Sequence, residues 1–535
     1  MASESTQHHG WIHYNFETSW SRHSSDKFAA KLRRKLLRHA FYNALSFHLR
    51  SSPPFFFLLR KWLQNCDNTH RKCRRQPRNE NFWPKRVIYV GDPKKLTLVE
   101  GQSRRDDYLV LSHCWGERTA EDKKRLCTTS ENYTARKDGF SYDQLPKTFQ
   151  DAVQVTRALQ KQYLWIDALC IIQEGPNCDW DSQAKAMVDI FANAYCTLAA
   201  SSARGWGDGF LKSKPDPPNI RVQATPTRLT CTCNFEKDVD ECALLKRGWV
   251  LQERVLSRRI IHFTSTHTYC ECGDGVLCEQ LTKLNPPFGK QYFFLDPDFP
   301  SRLNNSGYMC TVDFVQFLFR KYSTSGLSYA TDRDVAIYSL VDRMAQVLNT
   351  EVRYGIFRCF LGSLLLWKRD ENKTSPISYS NRPVPSWSWM AYPGGIDFIL
   401  QADWHCKIPR AVDLGFIQDG EALNIKVRKF GGNCRMEKKG EEYIIFGGTE
   451  EVGSLWFDVV EQVEFKYCVV VSMVWDDKED ARKTHHILVI RKAGGEKENA
   501  GGETENAVGG EYEKVGVGKV EAQYVSIGCD AGILW

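Results

Sequence analysis

The sequence predicts an α/β fold, a mostly parallel sheet covered by helices over residues 105–263, followed by a helical segment and a β-rich C-terminal region. Three observations predict it. Between residues 105 and 263 short apolar runs alternate with amphipathic runs of helical period. A long helical stripe follows Asp332, and from Pro385 the pattern changes to short strands at regular spacing.

The basic N-terminal region comes first. Residues 26–50 read as an amphipathic helix, with Phe28, Leu32, Leu36, Phe41 and Leu45 on one face and Lys27, Lys31, Arg33, Arg34, Lys35 and Arg38 around it. The expectation is that this stripe packs on the rest of the protein; contact with an anionic membrane surface is the alternative. Tyr108-Leu109-Val110-Leu111-Ser112 is a short apolar strand. Leu145 to Gln162 reads as a helix, with Pro146 in the first turn and Phe149, Ala152, Val153, Thr156 and Leu159 on one face. Tyr163 to Asp167 is a second strand. Asp179 or Ser182 caps the next helix, whose inward face is Ala184, Met187, Phe191 and Ala194. Cys196 to Ala200 is a third strand, and buried strands separated by helices favour parallel pairing.

Residues 264–380 form a connecting and helical region. Its helix is expected from Asp332 to about Lys368, on the stripe Ile337, Leu340, Val341, Met344 and Leu348. In the β-rich region 381–535, strands are expected at Asn424–Val427, Tyr443–Phe446, Leu455–Val459, Cys468–Val474 and His486–Ile490, as an antiparallel sheet or barrel. Residues 494–500 recur almost unchanged as 501–507. This Gly- and Glu-rich repeat has too few apolar side chains to order itself, and reads as a disordered hairpin loop over 493–510.

Composition bounds the class. In 535 residues, 42% hydrophobic and 12% aromatic side chains suffice for folded cores. No apolar run reaches the ~20 residues that cross a bilayer, and the N-terminus lacks the apolar core of a secretory signal. A soluble cytoplasmic protein without a transmembrane segment is expected. The 19 cysteines, an odd number, then read as reduced thiols. The net charge of +7 is uneven: residues 1–100 hold 19 Lys and Arg against 7 Asp and Glu, which leaves −5 for the remainder. The run Arg71-Lys72-Cys73-Arg74-Arg75 with Arg78 reads as a solvated cluster, since no nucleic-acid-reading motif accompanies it.

In an open parallel sheet, ligands sit beyond the carboxyl ends of the strands. Ser112 to Gly116 follow the first strand, Asp167 and Gln173 the second, Ser201 and Ser202 the third. These groups are predicted to share one rim, joined by Asp179 and Arg254, with Trp115 and Trp165 able to stack on a ring. The structural readings compete: an Asp at a helix start caps it, and a Trp on a strand packs in the core. Cys114 beside His113 is no nucleophile pair, because neighbours on a strand face opposite ways. Cys66, His70 and Cys73 fit one helical face at i, i+4 and i+7 and offer three zinc ligands. Cys231-x-Cys233 and Cys270-x-Cys272 are tighter than zinc-finger pairs. Buried inert thiols and no zinc are expected. The glycine-rich Arg204–Gly209 lacks the Lys-Ser/Thr of a phosphate loop and reads as a flexible loop.

Four segments carry a family resemblance: Tyr-Leu-Val-Leu-Ser-His-Cys-Trp-Gly (108–116), Tyr-Leu-Trp-Ile-Asp-Ala-Leu-Cys-Ile-Ile-Gln (163–173), Asp-Trp-Asp-Ser-Gln-Ala-Lys-Ala-Met-Val-Asp-Ile-Phe-Ala-Asn-Ala (179–194) and Arg-Gly-Trp-Val-Leu-Gln-Glu-Arg-Val-Leu-Ser (247–257). In order and spacing this resembles the HET (heterokaryon incompatibility) domain of filamentous fungi. Flanking pieces, Trp62-Leu63 with Cys66, His70 and Cys73, and Pro385-Ser386-Trp387-Ser388-Trp389, extend the resemblance over roughly 60–395. It implies a TIR/flavodoxin-like sheet and a trigger of programmed cell death in self/non-self recognition, acting by self-association or on a protein partner. HET domains are regarded as distant relatives of TIR domains, some of which cleave NAD. The resemblance therefore also implies an alternative, an NAD glycohydrolase-type enzyme with NAD as substrate. Such chemistry needs a carboxylate beside an oxocarbenium-like centre. Asp167, Asp179 and Glu174 are its candidates, with Ser112, Trp115, Gln173, Gln183 and Arg254 as binding residues. Gln183 stands where many HET sequences carry Glu, and the glutamate of catalytic TIR domains has no assigned counterpart, so the non-enzymatic reading is preferred. A third reading is a zinc-dependent nucleic-acid-binding regulator.

Overall fold

The structure is a computed structural model, which describes residues 21–23, 50–73, 82–101, 106–117, 119–212, 233–280, 282–285, 290–370, 375–379, 383–400, 413–418, 420–459, 466–474, 483–493 and 510–535. The expected helix over 26–50 and the repeat at 494–507 lie outside these residues, apart from Arg50.

Ten strands form the central sheet: β1 (Ser21–His23), β2 (Arg86–Tyr89), β3 (Thr97–Glu100), β4 (Tyr108–Ser112), β5 (Tyr163–Trp165), β6 (Cys196–Ala199), β7 (Arg259–Phe263), β8 (Thr268–Cys272), β9 (Gly275–Cys278) and β10 (Thr282–Asn285), in the order β1-β10-β9-β8-β7-β6-β4-β5-β2-β3. The expected parallel pairing holds at the centre, where β5, β4, β6 and β7 run parallel. Every residue of these four strands is buried, as a sheet covered on both faces requires. Antiparallel strands extend it on both flanks, β2 and β3 beyond β5, and β8 to β10 and β1 beyond β7. The sheet thus runs past both limits of the expected 105–263 unit. The chain passes from β4 to β5 on one side, then back across β4 to β6 and on to β7. Connections on the two sides of β4 therefore diverge, and the switch point lies between β4 and β6.

Helices fill the crossovers. Helix α1 (Pro53–Thr69) is capped by the Ser52 hydroxyl, which accepts from Phe55 N, and its first two positions are prolines whose missing N–H groups would be unpaired anyway. Its buried Phe55, Leu58, Leu59 and Trp62 join the main core. Helix α2 (Lys147–Ala158) is shorter than the sequence suggested, because Leu159 leaves helical geometry and Gln160 sits at φ 60°. Helix α3 (Trp180–Asn193) buries Ala184, Met187 and Phe191 as expected, and α4 (Gly248–Leu256) is inward-facing along nearly its whole length. A further helix, Tyr308–Ser323, precedes the one expected from Asp332 in the connecting region. The helix expected from Asp332 to Lys368 is confined to Val335–Val347. It stops before Asn349, at φ 47°, and the paired strands Val352–Arg353 and Ile356–Phe357 follow.

The C-terminal region closes on itself. Leu423–Lys429 pairs with Tyr467–Val474, which pairs with Thr484–Lys492, then Gly510–Glu521, then Asp530–Leu534, which returns to Leu423–Lys429. The result is a five-stranded barrel, extended by Glu450–Phe457, Glu442–Gly447 and Cys434–Lys439. Thr484–Lys492 and Gly510–Glu521 are antiparallel neighbours, as the hairpin reading around the repeat required.

Candidate functional site at the switch point

The carboxyl ends of β4 and β5 meet through side chains. Trp115 donates its indole N–H to Asp167 Oδ2 at 2.7 Å, and Ala168 N donates to Asp167 Oδ1 at 2.7 Å. His113 Nε2 lies 3.8 Å from Asp167 Oδ1, and its ring is nearly parallel to that of Trp115, 13° apart. Gln173 Nε2 donates to Asp167 O at 3.2 Å, and Gln173 N to Thr128 O at 2.8 Å, which fixes the loop after β5. Across the switch point Ala200 N donates to Ser112 O at 2.9 Å, so the loops after β4 and β6 leave the sheet side by side. Of the expected rim residues, Ser112, Trp115, Asp167 and Gln173 are thus brought together.

The centre of this group is a residue the sequence reading passed over. Glu253, on α4, is buried against the Ser112 hydroxyl, with Arg247 and Asp167 as charged neighbours. Burial raises its pKa to about 7; Ser112 and Arg247 favour the charged form, and Asp167 opposes it. Glu253 Oε2 and Ser112 Oγ are both enclosed without a hydrogen bond of good geometry. Arg247, at the start of α4, donates through Nη1 to His113 O at 2.5 Å and clamps the fourth segment to the first. The signal was a single acidic side chain in the apolar run Trp-Val-Leu-Gln-Glu-Arg-Val-Leu, which must be paired or functional once the helix is buried.

A loop covers the group. Trp206 packs on Trp115 at 5.4 Å and on Phe149 at 5.7 Å between ring centroids. The stretch from Arg204 was expected to be flexible, yet α2 pins it. Asp151 Oδ2 accepts from Phe210 N at 2.7 Å and Leu211 N at 2.9 Å, Thr148 Oγ1 donates to Gly205 O at 2.9 Å, and Thr148 N donates to Trp206 O. Gly116, at φ 73°, meets this loop closely: a Cβ there would fall 3.0 Å from Gly205 Cα.

Other expected site residues lie elsewhere. Asp179 is held by Arg86 Nη2 at 2.5 Å, Lys85 Nζ at 2.9 Å and Ile172 N at 3.0 Å. Burial acts to raise its pKa, but the Arg86 and Lys85 contacts prevail and keep it below the usual carboxylate range. It occupies the N-cap position of α3 without a side-chain capping bond, and braces the loop after β5 against β2. Glu174 is exposed, and its carbonyl, not its carboxylate, is bound by Ser130. Gln183 is buried on α3. Trp165 is core, edge-on to Phe191. Ser201 is buried near Cys242. Arg254 does not reach the rim: one residue on from Glu253, about 100° around the helix, it pairs with Asp240 and with Glu271, which also bonds His262 Nε2 at 2.6 Å. Cys66, His70 and Cys73 lie at the end of α1, away from the rim. Helix α1 ends at Thr69, so Cys73 is carried by the following turn and not by the expected helical face.

Residues 108–253 match the family model described as heterokaryon incompatibility protein (HET). The match ends at Glu253 and takes in β4, β5, β6 and most of α4. No curated protein and no solved structure matches the chain.

Proposed function

From the premise that this chain carries a heterokaryon incompatibility domain over residues 108–253, we propose that it triggers cell death in self/non-self recognition, through self-association of that domain or its engagement of a protein partner. One observation supports the non-enzymatic form of this reading. The carboxylate at the carboxyl end of β5, Asp167, is already engaged at both oxygens by Trp115 and Ala168, and Ser112, His113 and Glu253 behind it are buried. A group arranged in this way holds the loops after β4, β5 and β6 in one shape, which suits a docking surface. Inducible expression of the full chain in a fungal host tests the proposal. Loss of viability that disappears on deleting residues 108–257 supports it, and unaffected growth with the full chain present overturns it.

A second reading rests on Glu253. A buried carboxyl at the switch point, beside Ser112 and Asp167, supplies the acidic group that an NAD-cleaving enzyme needs near the ribose. It predicts NAD loss in the presence of the purified full chain, abolished by Glu253→Gln. A flat NAD trace from protein that kills cells removes this reading and leaves the first.

A further inference from the structure

At the opposite end of the domain from the rim loops, four side chains from two stretches of the sequence converge. Cys66 lies in the last turn of α1, His70 caps that helix, Cys73 follows in the next turn, and Cys272 ends β8. One ligand atom from each lies within 4.8 Å of all the others. Cys272 Sγ is 3.4 Å from His70 Nδ1, and all three thiols are free and buried. We propose that Cys66, His70, Cys73 and Cys272 together bind one structural zinc ion.

The distances suit that ion. A tetrahedral site with Zn–S of about 2.3 Å and Zn–N of about 2.0–2.1 Å has S···N edges of roughly 3.5 Å and S···S edges of roughly 3.8 Å. The Cys272 Sγ–His70 Nδ1 separation of 3.4 Å matches the S···N edge, and the other separations of at most 4.8 Å let the four atoms close on one ion. A soft set of three thiolates and one imidazole selects zinc over magnesium or calcium. The surroundings match as well. His70 presents Nδ1 to the cluster and Nε2 to Asp274 Oδ2 at 3.0 Å, the carboxylate–histidine arrangement that orients a metal-bound imidazole. The Gly273 N–H points at the Cys73 sulfur, and any side chain at 273 would crowd that sulfur, with a Cβ only 3.1 Å away. Zinc would displace three thiol protons and leave the centre with one net negative charge. Arg259, which also pairs with Asp67 at 2.5 Å, is close enough to Cys66 to offset it.

Four protein ligands leave no open position for water, so the ion would be structural. It would tie the end of α1 to the β8–β9 turn and so lock that helix to the flank of the sheet. The spacing of Cys66, His70 and Cys73 offered three ligands; the fourth comes from the Cys270-x-Cys272 pair, whose other member packs in the main core.

The test uses the full chain, purified without chelator, with metal measured by inductively coupled plasma mass spectrometry. One zinc per chain is expected. After removal and reloading with cobalt, the spectrum should show thiolate-to-cobalt charge transfer and the strong visible bands of tetrahedral coordination. Cys272→Ser should lose the zinc, Asp274→Asn should weaken binding about 10–100-fold, and Cys178→Ser, which alters an exposed thiol, should keep one zinc. A wild-type chain that carries no zinc and gives no cobalt spectrum overturns the site, as does full retention of zinc by Cys272→Ser. Should Cys272→Ser fail to fold, the wild-type cobalt spectrum decides: charge-transfer intensity short of three thiolates overturns it.

Discussion

Trp115 and Asp167 join the ends of two neighbouring parallel strands by a 2.7 Å hydrogen bond from indole N–H to carboxylate. The bond links the first and second family segments, so it holds the rim together as well as stabilising the fold. Trp115→Phe keeps an aromatic ring against Trp206 while removing the donor and the five-membered ring that carries it. Because the acceptor is charged and half-buried, the expected cost is about 1–2 kcal/mol. Urea unfolding measures this, and killing in the inducible host should fall in parallel if the shape of the rim is what a partner reads. Unchanged stability would show that water replaces the indole without loss.

Glu253 gives the domain a pH signature. Its folded pKa of about 7 lies above the value of 4.5 expected for an exposed side chain. The folded state therefore holds its proton more tightly, and the associated stability is fully present below pH ~4.5 and lost as pH rises to ~7. The loss is on the order of 3 kcal/mol. Glu253→Gln has no proton to lose, so the gap between the mutant and wild-type urea midpoints should widen in the mutant's favour from pH ~4.5 to ~7 and stay constant above. A gap that does not change across this window would mean that Glu253 titrates like a surface carboxyl.

How far the sequence reached depended on where each signal was stored. β4, β5 and β6 were legible because each is an uninterrupted apolar run flanked by helical periodicity, and their ends located Ser112, Trp115 and Asp167. β2 and β3 are four-residue strands whose antiparallel partners are distant or equally short, so no alternation long enough to read exists. α1 was visible in hindsight from Pro53-Pro54, which open a helix as readily as they break one. Glu253 carried no readable signal of its position for a different reason, and Arg254, expected at the rim, pairs with Asp240 and Glu271 instead. In a helix buried on nearly every side, apolar periodicity does not say which polar residue faces the sheet ends. Asp151 was hidden because its two acceptor bonds are to backbone 59 and 60 residues away, which no local pattern records.

Asp151 carries the cover of the site. It is fully buried, paired with Lys147, and accepts from Phe210 N and Leu211 N. Asp151→Ala strands two buried N–H groups, at an expected cost of about 2–4 kcal/mol. The effect should be local: amide hydrogen exchange should accelerate at 204–211 well before it does in β4 or β6. Uniform acceleration across the sheet would show that the loop is not a separately opening unit.

A buried ion pair within the C-terminal sheet abuts the strand Trp367–Arg369, and removing one partner should cost more than removing both. Lys514 and Asp458 are both almost wholly inaccessible; Lys514 Nζ also donates to Trp367 O at 3.2 Å, and Arg369 N donates to Asp458 Oδ1 at 3.2 Å. Burial lowers the Lys514 pKa to about 8, although Asp458 favours the charged form, so the ammonium is retained near neutral pH only because its partner is there. Lys514→Met leaves the Asp458 carboxylate enclosed with only Arg369 to answer its charge, and should destabilise by about 3–5 kcal/mol. Adding Asp458→Asn removes the stranded charge while keeping an acceptor for Arg369 N, and should recover a large part of that loss. A double-mutant cycle on thermal unfolding measures the coupling. Additive effects would mean that water reaches the pair.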